Sequence, residues 1–157
     1  MSVIEIIPNL YLSSCSVRFN KKQMSELTEN TEKLIIIECL KDELEDPICS
    51  EKHIIYKIHV DDTSRPDNQQ IFIDRTLEIL SQVIDYYNKG NKILVHCSQG
   101  VQRSASFTCI ILMKLFKIDM NSSIEYVLSK KPSVFAHGRQ VNFSQALQII
   151  SQKVIQI

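Results

Sequence analysis

The sequence carries no net charge at neutral pH, because 18 Lys and Arg residues are matched by 18 Asp and Glu. The basic residues are scattered, which argues against a bulk nucleic-acid or membrane surface while leaving room for a local basic pocket. No apolar stretch reaches the length needed to span a bilayer. The N-terminus lacks a basic region followed by an apolar run, so no secretory signal is expected, and neither Ser2 nor the C-terminal residues make a lipidation motif. The five cysteines form no CxxC pair and show no repeated Cys/His spacing. An odd number of thiols without a leader points to reduced cysteines and a cytoplasmic or nuclear protein. No repeat or low-complexity linker divides the 157 residues, so residues 1–157 are expected to form one domain with a sizeable core.

What the chain does contain is concentrated in one stretch, Lys92-Ile-Leu-Val-His96-Cys97-Ser-Gln-Gly-Val-Gln-Arg103-Ser104. The apolar run before His96 reads as a buried strand, and the segment after Arg103 as a buried helix. The loop between them joins a strand end to a helix N-terminus, where backbone N–H groups converge and the helix dipole favours an anion. A free Cys thiol titrates at about 8.5, and such surroundings lower it to roughly 3.5–7.5. A drop of three units corresponds to about 4 kcal/mol of differential stabilisation. Arg103 offers a planar fork that grips two phosphate oxygens, which a Lys cannot do. Nucleophile, anion cradle and phosphate clamp thus fall within seven residues. None of Cys15, Cys39, Cys49 or Cys109 has an Arg six positions on, so the spacing is not a by-product of composition.

The rest of the chain alternates strands and helices. Val3 to Ile7 and Leu10 to Leu12 flank a Pro8-Asn9 turn and read as an opening hairpin. Asn20 and Gln23 make a capping box for a short helix carrying Met24 and Leu27. Leu34 to Leu40 is an apolar strand interrupted only by Glu38, and Lys41 to Pro47 is an exposed loop. A further strand, Ile54 to Val60, runs into the polar segment Asp61-Asp62-Thr63-Ser64. Asp67 and Gln70 read as the capping box of a long helix with Ile73, Leu77, Leu80, Ile84 and Tyr87 on one face, stopped at Gly90. Beyond the buried helix from Ser104 to about Lys117, Ser122 and Glu125 cap another that ends before Pro132. A loop follows from Ser133 to Gln140, and a last helix starts near Asn142. This order implies an α/β sheet with helices on both faces.

A thiolate that cleaves a phosphoester leaves behind an alkoxide or phenoxide, which needs a proton. Asp61 and Asp62 are the candidate acids, because they lie at a strand's C-terminal end, where α/β sheets place their ligands.

The His96-Cys97-x5-Arg103-Ser104 frame resembles the signature of the protein tyrosine phosphatase superfamily. Ile7 to Ser14, with its Leu-Tyr-Leu strand, and Val60-Asp61-Asp62-Thr63 are similar to the corresponding segments of dual-specificity phosphatases. The resemblance implies a three-layer sandwich with a central, mixed and mostly parallel sheet, and it aligns the acid with Asp62. It implies a phosphocysteine intermediate on Cys97, with phosphate held by Arg103 and the amides of Ser98, Gln99, Gly100, Val101 and Gln102. His96 would orient the loop through hydrogen bonds, and Ser104 would donate to the Cys97 sulfur. No metal or cofactor is implied, since amides and guanidinium supply the positive field. The expected substrates are phosphotyrosine and phosphoserine or phosphothreonine in proteins. No segment has room for the Tyr-bearing loop that deepens the pocket in tyrosine-specific relatives. Phosphate, sulfate or vanadate should occupy the loop, with neither nucleic acid nor membrane as partner, and a monomer is expected. The alternatives are a phospho-binding protein with little turnover, an RNA or phosphoinositide phosphatase of the same superfamily, and a rhodanese-like sulfur transferase. Two positions depart from the family pattern. Gln102 replaces a small polar residue, and Arg139-Gln140 stands where Pro-Asn is common.

Overall fold

A computed structural model describes residues 3–155. The expected domain of 1–157 therefore extends two residues beyond each end of the described part. β1 (Ile4–Ile7) and β2 (Leu10–Ser14) form an antiparallel hairpin across Pro8-Asn9, with Asn9 at a left-handed φ of 72°. β3 (Leu34–Glu38), β4 (His53–Lys57) and β5 (Lys92–Cys97) complete a mixed, mostly parallel sheet in the spatial order β1-β2-β5-β3-β4. Parallel neighbours need crossovers. Helix α1 (Lys21–Thr28) lies between β2 and β3, and α2 (Pro66–Asn88) between β4 and β5. Three helices follow the sheet: α3 (Arg103–Phe116), α4 (Met120–Lys130) and α5 (Ser144–Ile155).

Side chains of a strand alternate between faces, and here both faces are covered. β3 and β5 send Ile35, Ile37, Ile93 and Val95 into a large core with Phe72 of α2, Phe107 and Ile111 of α3, Val127 of α4 and Leu147 of α5. They send Leu34, Ile36 and Leu94 into a smaller core with Val17 and with Met24 and Leu27 of α1. Strands buried on two faces read as continuous apolar runs, which is why β3 and β5 are legible as they stand. The result is the expected three-layer α/β sandwich. No helix among the described residues is long and apolar enough to cross a membrane.

Several local expectations shift. α2 begins at Pro66, before the Asp67–Gln70 pair that the sequence marks as its cap. Proline's fixed φ and missing N–H suit the first helical position, so Asp67 falls inside the first turn, accepting from the Asn68 N–H, while Gln70 donates to Asp74. The buried stripe of α2 is centred on Phe72, Thr76, Ile79 and Val83 together with Ile73, Leu80 and Ile84. Leu77 is 37% exposed, and Tyr87 is half-buried, donating its hydroxyl to the Pro8 carbonyl. α4 is capped by Asp119, whose carboxylate accepts from the Ser122 N–H, rather than by Ser122. β4 ends at Lys57 because β3 ends at Glu38, with one more ladder bond from the Ile58 N–H to the Glu38 carbonyl. Within the expected loop 133–140 the chain makes a left-handed turn, Val134–Gly138, with Phe135, Ala136 and His137 all at positive φ. α5 starts at Ser144, two residues after the expected Asn142.

Candidate active site

Cys97 closes β5 and Arg103 opens α3, so the five residues between them wrap around the helix N-terminus. The Cys97 sulfur sits on the floor of this loop. The Gly100 N–H donates to it at 3.2 Å, and the Ser104 hydroxyl lies 3.0 Å away. Burial alone pushes the Cys97 thiol up. The hydroxyl and N–H of Ser104, the Arg103 charge and the Gly100 N–H together overcome it, and the net direction is down from the usual thiol range. The other fully buried thiols go the opposite way: burial pushes Cys109 up to about 12 and Cys39 well above its ordinary value. Cys97 is therefore the cysteine whose surroundings favour the anion, the form that acts as a nucleophile.

The loop's tight path depends on Gly100. Its φ is +75°, and a Cβ there would lie 2.7 Å from the Ser13 carbonyl oxygen and 2.8 Å from Lys131 Nζ. A side chain at this position meets backbone as well as an unfavourable dihedral. Lys131 donates to the Gly100 carbonyl at 2.8 Å from the far side of the loop, and desolvation lowers its own pKa. Phe135, in the left-handed turn, donates its N–H to the Val101 carbonyl at 2.8 Å.

The loop opens into a pocket of about 160 Å³ lined by Asp62, Cys97, Ser98, Gln99, Val101, Gln102 and Arg103. Arg103 is half-buried and donates from Nη1 to the Val60 carbonyl at 3.0 Å, tying the phosphate loop to the segment after β4 that carries the acids. Its Nε is buried and has no partner among the described residues. The two acids separate. Asp62 is exposed, lines the pocket and accepts from the Asn142 side-chain amide at 2.8 Å. Asp61 pairs with Lys41 at 3.3 Å, and its N–H and carbonyl are both bonded to the Asn68 side chain. His96 and Ser104 are fully buried and Gly100 is buried, and none of the three lines the pocket. Among the described residues, no group of three His, Cys, Asp or Glu side chains could hold a metal ion.

These residues fall inside a matching family model. The model described as "Dual specificity phosphatase, catalytic domain" matches residues 10–152. The chain belongs to this family. It therefore sits within a superfamily of cysteine-dependent phosphatases. Dual specificity protein phosphatase 1-A of Xenopus laevis is 28% identical over 153 residues, and human dual specificity protein phosphatase 1 is 27% identical over the same length. Each alignment takes in 95% of this chain and 37% of the relative, so the chain spans well under half the length of these relatives. Among solved structures, a human tyrosine phosphatase-like serine/threonine/tyrosine-interacting protein superposes with a TM-score of 0.76 at 21% identity, covering 96% of both chains. Human DUSP28 gives 0.76 at 18% identity, covering 99% of this chain and 95% of the other. At these identities the likeness is one of fold.

The two departures from the family pattern meet in space. Gln102 donates to the Gln140 carbonyl at 2.8 Å and accepts from the Asn142 N–H at 3.0 Å. The residue before Arg103 thus bonds directly to the segment that leads into α5. Three residues escape a sequence reading: Asn142, Lys131 and Arg18, whose buried guanidinium lies 3.2 Å from His96 Nε2. The first two carry no local pattern. Arg18 had one available signal, the lone acid Glu38 inside an apolar strand, which needs a buried cation.

Proposed function

We propose that the protein is a phosphoprotein phosphatase that hydrolyses phosphotyrosine and phosphoserine or phosphothreonine through a phosphocysteine intermediate on Cys97. The observation that carries the reading is the Cys97 sulfur at the floor of a pocket of about 160 Å³, biased toward the anion, with Arg103 and Asp62 on the walls. A tetrahedral phosphate fits such a volume. The free Nε of Arg103 and the N–H groups of 98–103 are the donors for its oxygens. The thiolate attacks phosphorus, an S–P bond forms, and the P–O bond to the substrate breaks as Asp62 gives its proton to the departing oxygen. Water then attacks phosphorus, its proton passes to Asp62, and the electron pair of the S–P bond returns to Cys97. The Ser104 hydroxyl stabilises the sulfur as it leaves. Asn142 holds one oxygen of Asp62 and leaves the other for the proton.

The loop interior from Ser98 to Gln102 has no Lys, which favours phosphoprotein over phosphoinositide. Turnover of an aryl phosphate at mildly acidic pH tests the assignment. Wild type should turn over with a burst, and Cys97→Ser should abolish it. Binding of phosphate or vanadate without any turnover by wild type would instead make the protein a phospho-binding module.

A further inference from the structure

Arg18 lies in the 3-10 turn Cys15–Phe19 that follows β2, and it is fully buried, with 0% of its surface exposed. Nη1 donates to Glu38 Oε1 at 2.8 Å and lies 3.2 Å from His96 Nε2. Glu38 ends β3, and His96 is its register partner on β5, one residue before Cys97. Three buried polar side chains from three elements thus converge directly behind the phosphate loop.

Stability alone gives a weak reason for this cluster. Removing a guanidinium and a carboxylate from water costs about what their attraction returns, and an apolar pair of the same volume is often as stable. The pair does supply something an apolar pair cannot. A guanidinium only donates hydrogen bonds, and at protein pH it does not deprotonate. The nitrogen facing it must therefore accept, so the His96 proton belongs on Nδ1, which lies beside the Cys97 backbone and has no other hydrogen-bond partner among the described residues. Burial, and then the Arg18 charge, hold the His96 pKa down to about 3, so the ring stays neutral. Glu38 Oε1 is itself 3.9 Å from His96 Nε2. Without Arg18 between them, that carboxylate would draw the proton to Nε2 instead.

We propose that Arg18, anchored by Glu38, is a positioning residue for the Cys97 nucleophile: its bond to Nε2 locks His96 as the neutral Nδ1–H tautomer and turns that N–H toward the first peptide of the phosphate loop. The inference rests on the reading of Cys97 as the nucleophile. Which ring nitrogen of a histidine carries the proton is set by the partner of the other, and a misdirected imidazole would loosen the peptide from which the sulfur hangs.

Nitrogen-15 NMR of the wild-type imidazoles reads the tautomer directly. A protonated Nδ1 and a bare Nε2 on His96 at pH 7 are expected, and a protonated Nε2 overturns the proposal. The paired substitution Arg18→Met with Glu38→Met removes donor and carboxylate together and leaves no unpaired buried charge. It should fold, lose the single tautomer, move the pH midpoint of Cys97 alkylation upward by about one unit, a tenfold change in thiolate fraction, and lower kcat about tenfold. Arg18→Lys, which keeps a donor, should recover part of both losses. A folded double variant with the wild-type alkylation midpoint and kcat would overturn the proposal. If the double variant does not fold, the wild-type tautomer decides. If wild type shows no turnover, the reading of the protein as an enzyme falls, while tautomer and alkylation still decide this point.

Discussion

At the scale of single residues, two side chains of the same type acquire opposite chemistry. Cys97 and Cys109 are both buried beside a serine hydroxyl, yet of the two only Cys97 also has two N–H groups and a guanidinium placed to favour its anion. Iodoacetate at neutral pH should therefore label Cys97 first, and phosphate or vanadate should protect it. Peptide mapping that finds another cysteine modified first would contradict the geometry. This much was legible in the sequence, because the Cys-x5-Arg spacing encodes one turn of backbone around one helix end. The choice between Asp61 and Asp62 was less legible, because adjacent carboxylates differ only in where neighbouring chains hold them. Asn68 and Lys41 engage Asp61, and Asn142, 80 residues away in sequence, engages Asp62. Asp62→Ala should slow the hydrolysis of alkyl phosphates by about 10²- to 10⁴-fold, the usual worth of general acid catalysis. Aryl phosphates with good leaving groups should lose much less. Steady-state kinetics on both substrate types check this, and equal losses would remove Asp62 from the role of acid.

At the scale of elements, hydrophobic period located almost every strand and helix, and capping signals misplaced some of their ends. α2 starts at Pro66 because proline fits the first helical position without needing a cap bond from Arg65. The sequence of 133–140 reads only as a loop because no apolar period marks a left-handed turn. Its three successive positive-φ residues are set by tertiary contacts, among them the Phe135 N–H bond that reaches the phosphate loop. Left-handed backbone costs an L-residue about 1–2 kcal/mol, and glycine escapes that cost at the expense of unfolded-state entropy. Ala136 is exposed, with a φ of 51°. Ala136→Gly should therefore raise stability by about 0.5–1 kcal/mol, measured as a shift of the urea midpoint at constant m-value. Phe135 offers no such gain, because its ring is fully buried in the large core.

At the scale of the whole molecule, the sheet delivers β5 to its centre and, because β4 and β5 run parallel, sets the sulfur at the end of β5 and the acid-bearing segment after β4 along one edge. Such an arrangement follows from the strand order and could be anticipated only in outline. Of the buried charges only Glu38, a lone acid inside an apolar strand, left a signal in the sequence, because its partner Arg18 lies 20 residues away. They leave a mark on global stability. His96 is held neutral in the folded chain down to about pH 3, whereas an unfolded histidine titrates near 6.5. Between those values the unfolded state binds more protons than the folded one, so stability falls as pH falls. From pH 7 to pH 5 the loss from His96 alone is about 2 kcal/mol. Denaturant titrations at the two pH values should show it, and His96→Gln should remove that part of the dependence.

The bonds from Gln102 to the Gln140 and Asn142 backbones bear on any attempt to redesign this domain toward its relatives. Restoring a small residue at 102 by itself would cut both ties and leave the approach to α5 held only by its other bonds, among them those of Asn142 to Gln69 and Asp62. Restoring Pro-Asn at 139 and 140 by itself would strand a glutamine shaped for a different backbone. The three positions form an epistatic set, and only their joint exchange should be close to neutral.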